Sequence, residues 1–247
     1  MAYPGLQLDP IFAHEFLDDP TVLRTSRLFL GDDCILVASD AQRIESWTHW
    51  HSDTPPEVDY RMMKCIMYLD EHSDGYGSVA VLPGSHHFGF ASRAVPLARA
   101  ADEAEEKKSL GVINKWASST SPWMPPGAVT ACTRPGVRTK RPARPPLLLH
   151  IGLSLWFESL ALAQDIVYFN QRLLHSSWGG QRGRRFLGLT LGEAPLTAPH
   201  IAHMEDHGQR WSQRCMNARK SQVPDVVVEG AGPGRRRLID WLLERGF

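Results

Sequence analysis

The chain has 247 residues, 43% of them hydrophobic, and carries 27 basic against 27 acidic side chains. That length and apolar content suit one globular domain with a substantial buried core. The balanced charge supplies no electrostatic footprint for nucleic acid or an anionic membrane, so a small-molecule substrate is expected and oligomeric state is left open.

The first ten residues, MAYPGLQLDP, have no basic head or apolar stretch, and Cys34, Cys65, Cys132 and Cys215 form no CxxC pair. Free thiols and a cytoplasmic location are the expectation. Residues 8–30 read as helical, with Pro20 breaking them into two pieces. Short apolar or alternating runs follow at 34–38, 47–53, 62–69 and 78–83, separated by turn-forming residues. A helix is expected over 96–111, ending at Gly111, from its strong helix formers and Glu-to-Lys spacing. Strand-like runs resume at 128–132, 165–170 and 185–191. A helical region covers about 200–247, with Leu238, Ile239, Trp241 and Leu242 available for a buried stripe. The spacing of the strands suits a β-sandwich or barrel with flanking helices. The longest apolar run, residues 145–163, is interrupted by His150 and Glu158 and is not expected to span a membrane.

Chemistry concentrates in HWHSDTPP, residues 49–56. On an extended strand His51 and Asp53 point to the same side, because side chains alternate with period two, and two such donors can grip one metal ion. His49 shares that face and is expected to pack near the site entrance. A second HSD, at 72–74, runs into GYG and reads as a solvated loop. Trp47, Trp50 and Trp178 could line a pocket, although core filling is the ordinary role of a tryptophan.

Further along stand GSVAVLPGSHH, residues 77–87, and DIVYFNQRLLHSSWGGQRGRRFLGLTL, residues 165–191. The order W-H-x-D, then G-x5-PGSH, then H-x-S and an arginine-bearing strand resembles the phytanoyl-CoA dioxygenase-like family of iron(II)- and 2-oxoglutarate-dependent oxygenases, over about residues 34–191. The resemblance implies a double-stranded β-helix (a jelly-roll, cupin-like barrel) in a single domain spanning 1–247. It implies His51, Asp53 and His175 as catalytic ligands of Fe(II), with 2-oxoglutarate and O2 as co-substrates. Three ligands on one side of the metal leave the other positions open for chemistry. The far carboxylate of 2-oxoglutarate then needs a cation, and arginine offers a planar fork that keeps its proton. By alternation Arg184 shares a face with Phe186, Gly188 and Thr190, and Arg185 with Leu187, Leu189 and Leu191. The small and polar set suits a cavity, which favours Arg184; Arg185 stays open. Ser177 fills the H-x-S position, from which the family's hydroxyl contacts the co-substrate.

The implied reaction is oxidation, by default hydroxylation, of a small organic, lipid-like or secondary-metabolite substrate. The carboxylate of Asp53 argues against halogenation, since related halogenases lack it. Two rival readings are a homologue that binds a small molecule without turnover and a cupin-like metal hydrolase or isomerase. Residues 137–164 interrupt what the resemblance leads one to expect, TRPG running directly into DIVYFN. The stretch reads either as a retained intron, since its edges can be encoded as splice borders, or as a genuine surface insertion.

Overall fold

Two four-stranded antiparallel sheets exchange strands along the chain. The computed structural model describes residues 16–44, 48–55, 58–69, 79–87, 89–90, 93, 95–96, 99–100, 129–130, 132–133, 160–161, 166–177, 184–214, 223 and 225–246. Its strands are β1 (Ile35–Ile44), β2 (Thr48–His51), β3 (Met62–Tyr68), β4 (Val79–Val81), β5 (Val129–Thr130), β6 (Cys132–Thr133), β7 (Leu160–Ala161), β8 (Ile166–Asn170), β9 (His175–Ser177) and β10 (Arg184–Gly192). One sheet has the order β1-β10-β3-β8 and the other β2-β9-β4-β5. Strands β1, β3, β8 and β10 thus alternate along the chain with β2, β4 and β9 of the opposite sheet, and every pairing within the two sheets is antiparallel. This is the double-stranded β-helix expected from the sequence.

The first sheet is buried on both faces, and its strands show why. Along β10, Leu187, Leu189 and Leu191 turn outward with Met63 and Cys65 of β3 and Ile166 and Tyr168 of β8. They pack beneath helices α1 (Pro20–Leu30), α2 (Ala198–Arg214), α3 (Asp225–Val228) and α4 (Pro233–Leu243), which contribute Val22, Met204, Val227, Leu238, Ile239 and Leu242. Phe186 turns inward, with Ile66, Tyr68, Val167 and Phe169, to meet Val79 and Val81 of the second sheet. Each such side chain stabilises the fold by about 1.5 to 3 kcal/mol relative to exposure.

Helix α1 starts where Pro20 permits. Pro20 occupies the first turn, where its missing N–H is not needed, and the Asp19 carboxylate accepts from Thr21 N at 2.7 Å and Val22 N at 3.1 Å. In α4 the expected stripe is buried at Leu238, Ile239 and Leu242, with Trp241 half-buried.

Two boundaries differ from expectation. β1 runs to Ile44 rather than ending at 38, because pairing with β10 carries the polar stretch Ser39–Gln42 as strand. Residues 128–132 split into two pieces, and Cys132–Thr133 pairs in parallel with Leu160–Ala161, the only described part of 137–164. Of the expected helix over 96–111, Pro96, Arg99 and Ala100 are helical and the rest lies outside the described residues, as do 8–15 and the second HSD at 72–74. Cys34 and Cys65 are buried free thiols, and burial pushes the Cys34 thiol up to about 11. Among the described residues no helix is long and apolar enough to cross a membrane.

Candidate metal centre

His51, Asp53 and His175 converge although 124 positions separate the two histidines (175 minus 51). One potential ligand atom from each lies within 4.8 Å of the others, and no other group of this kind occurs among the described residues. His51 and His175 are register partners on the antiparallel pair β2–β9. Between Thr48 and His51 the register slips: three steps along β2 match the two from Ser177 to His175. The extra residue is a bulge, which re-aims the side chain that follows it. It brings both Thr48 and His51 opposite inward-facing partners; Thr48 Oγ1 and Ser177 Oγ lie 3.0 Å apart.

Asp53 is not on the strand, which corrects the simple alternation argument. β2 ends at His51, and Asp53 lies in a bend whose backbone N–H donates to Gln171 O at 3.1 Å, as Thr54 N does at 3.2 Å. The turn after β8 therefore places the carboxylate. Its Oδ1 is 3.5 Å from His51 Nε2 and its Oδ2 is 3.8 Å from His175 Nε2.

Each imidazole is oriented through its other nitrogen. His51 Nδ1 lies 2.7 Å from His49 O, and His175 Nδ1 lies 2.9 Å from Leu173 O. A protonated Nδ1 makes both bonds and turns each Nε2 toward the Asp53 carboxylate. That is the tautomer an Nε2 metal ligand requires, with the backbone carbonyl fixing the ring. The donor set and its orientation therefore fit a divalent metal of the iron class. His49 is exposed and serves through its carbonyl.

The three groups titrate differently. Burial pushes His175 down to about 4, although Asp53 opposes it. Burial also acts on His51, but its hydrogen bond to Asp53, the Asp53 charge and the His49 carbonyl outweigh it, and the ring is held above its ordinary value. For Asp53 the partial desolvation is overcome by His51, His175 and Lys64, so the carboxyl stays well below its usual range. A carboxylate beside a neutral buried imidazole is ready to ligate.

The surrounding turns are held tightly. Ser85, in the turn after β4, donates to Leu82 O at 2.6 Å and accepts from Leu174 N at 2.8 Å, tying the PGSH turn to the residue before His175. Gln171 donates to Thr190 Oγ1 at 2.9 Å and accepts from Thr54 Oγ1 at 3.2 Å. His86 and His87 lie in the turn after β4. Trp50 is buried with Ala80, Leu82 and Leu174 and fills core; Trp47 and Trp178 lie outside the described residues.

The expected split of β10 holds for its described side chains: the leucines meet the helices, and Phe186 meets the interior. Arg184 opens the strand opposite Ile44, and only its backbone is described; Arg185 is exposed. Ser177 is buried on the strand of His175.

Sequence reasoning passed over Lys64 and Asp40. Both lie on the inner side of the first sheet, on β3 and β1, with Lys64 Nζ 3.3 Å from Asp40 Oδ1. The signal was there to read: Lys64 is the one charged residue in MMKCIMY, a strand apolar on both faces.

No protein-family model matches the chain, and no curated protein matches it. Solved structures similar to it include AviO1 from Streptomyces viridochromogenes Tue57, 15% identical over 75% of this chain and 62% of that one, TM-score 0.42. EvdO2 from Micromonospora carbonacea var. aurantiaca, complexed with 2-oxoglutarate, is 18% identical over 74% of this chain and 64% of that one, TM-score 0.40. HygX from Streptomyces hygroscopicus, with nickel and 2-oxoglutarate bound, is 14% identical over 76% and 67%, TM-score 0.44. The chain spans less than two thirds of AviO1 and EvdO2.

Proposed function

We propose that this chain is an iron(II)- and 2-oxoglutarate-dependent dioxygenase that oxidises a small organic substrate, lipid-like or of secondary metabolism, by default through hydroxylation. The observation that carries the reading is the triad: two imidazoles and one carboxylate, each offering a ligand atom within 4.8 Å of the others, at the β2–β9 pair of a double-stranded β-helix. Two histidines and one carboxylate with open positions is the donor set of non-haem iron(II) oxygenases.

When bound, the metal with 2-oxoglutarate and O2 supplies the oxidising power. The residues of the chain bind and orient. His51, Asp53 and His175 hold the cation, each imidazole kept in one tautomer by a backbone carbonyl. Ser177 and Arg184, with Arg185 as the alternative, are proposed as co-substrate contacts. The buried apolar cluster of Ile66, Tyr68, Val167, Phe169 and Phe186 reaches the triad, where the Phe169 ring centroid lies 4.8 Å from that of His175. Asp53 would supply a carboxylate ligand to the metal, which would disfavour a halide in its place.

The test is spectroscopic and then chemical. Anaerobic iron(II) with 2-oxoglutarate should give a visible charge-transfer band that Asp53→Ala abolishes, and admitting oxygen should yield succinate. A folded wild-type protein that binds iron(II) but gives neither band nor succinate overturns the reading in favour of a hydrolase, an isomerase or a binding protein.

A further inference from the structure

A charged pair is buried inside the barrel where an apolar pair would serve stability as well. Lys64 is 14% exposed and Asp40 4%. Lys64 Nζ is 3.3 Å and 3.5 Å from the two Asp40 oxygens, longer than the roughly 2.7 to 2.9 Å of a well-formed charge-assisted bond. Asp40 also accepts from Gln42 Nε2. Replacing a buried ion pair by well-packed apolar groups is often neutral or stabilising, so this pair calls for another reason to exist.

The pair is built across three strands. Asp40 on β1 is the register partner of Gly188 on β10, and Lys64 on β3 is the partner of Thr190, two residues further along β10. The lysine therefore passes diagonally over Gly188 to reach the aspartate. A Cβ at Gly188 would run into the Asp40 carboxylate and come within 3.3 Å of Lys64 Cε. The glycine is the corridor. Thr190, opposite Lys64, is linked through Gln171 to Thr54, the residue after Asp53, so this part of the wall lies at the level of the triad. Lys64, opposite Thr190 on the wall that carries this link, is thus an inward-facing cation at the level of the metal ligands.

We propose that Lys64 receives a carboxylate of the 2-oxo acid bound at the triad, and that Asp40 holds the ammonium in position and competes with the ligand for it. The inference rests on the function proposed above and adds a second cation to the co-substrate site. An incoming carboxylate offers the ammonium a shorter, better-directed bond than the two long ones it now makes. Removing the Asp40 charge then frees the lysine, and removing the lysine leaves the ligand carboxylate without its partner.

The experiment measures anaerobic binding of 2-oxoglutarate, and of 2-oxopentanoate, which lacks the second carboxylate, to the iron(II)-loaded protein through the charge-transfer band. Circular dichroism confirms that each variant is folded. Lys64→Met is expected to weaken 2-oxoglutarate binding by about tenfold or more, while Asp40→Asn, which keeps the lysine, tightens it several-fold. Weakening of 2-oxoglutarate alone assigns Lys64 to the remote carboxylate; equal weakening of both acids assigns it to the carboxylate beside the keto group. Should Lys64→Met not fold, Asp40→Asn decides alone: tighter binding supports the proposal, and unchanged or weaker binding overturns it. Wild-type affinity in Lys64→Met overturns it likewise. A wild-type protein that loads iron(II) but gives no band with either acid defeats the proposed function itself, a result distinct from a normal wild-type band unaffected by the variants.

Discussion

His51 and His175 are register partners across β2 and β9, with ring centroids 4.2 Å apart, yet one side chain is 40% exposed and the other 9%. The pair is therefore unequal: a sealed imidazole that remains neutral, and a wetter one that faces Asp53. His51 would give up the proton that Asp53 favours on it in order to ligate a metal, whereas His175 is already neutral.

A divalent cation that binds only the folded triad must raise the unfolding temperature by mass action. At a concentration of 100 times its Kd the stabilisation is about 2.7 kcal/mol. Thermal scans with manganese(II) or cobalt(II) should show an upward shift that a chelator reverses. His175→Ala and Asp53→Ala should each abolish it.

Gly188→Ala should destabilise the protein by about 2 to 3 kcal/mol, since the added methyl overpacks against Asp40 and Lys64. Urea unfolding measures this directly. The ordinary preference of a strand for alanine over glycine would give the opposite sign, so the direction of the shift is diagnostic.

Ser85 is fully buried and bridges Leu82 and Leu174. Ser85→Ala leaves both backbone groups without that partner, and a loss of about 1 to 3 kcal/mol is expected. Because Leu174 precedes His175, metal affinity should fall in the same variant. Calorimetric titration with manganese(II) checks that second effect.

The pH dependence of stability should carry a signature of Glu193. Desolvation acts to raise its pKa, but the Arg61 backbone N–H at 2.9 Å and guanidinium at 2.6 and 2.7 Å prevail, and the carboxyl is held below its ordinary value. Its unfolded form takes up a proton first as the pH falls. The stability this contact contributes is thus complete above the unfolded pKa of about 4.3 and is lost as the pH drops through the folded value. Glu193→Gln should flatten the acid limb of a stability–pH curve and leave its neutral part little changed in slope.

Much of this was legible in the sequence, for identifiable reasons. The two-residue period of RFLGLTL separates the leucines that meet helices from the Phe186 side that meets the interior, because a strand buried on both faces still alternates. Pro20 marked the start of α1 because its ring fits only the first turn. The residue pattern around positions 51, 53 and 175 pointed to a triad, and the structure brings those three together. What failed depended on pairing between distant strands. Asp53 looked like a strand residue because nothing local reveals that Gln171 captures its backbone. The bulge in β2 is visible only against β9. Asp40 stood outside every run read as strand, since its lysine lies 24 residues away and the glycine between them 148 residues away.

The two-sidedness of β10 also limits how the gene can change. A single codon gained inside 186–191 would swap the inward and outward sides for the rest of the strand, sending leucines into the interior and Thr190 under the helices. Two codons gained together preserve the parity. Length variation among descendants of this sequence should therefore come in even steps within that strand and be unconstrained in parity in the connection before it.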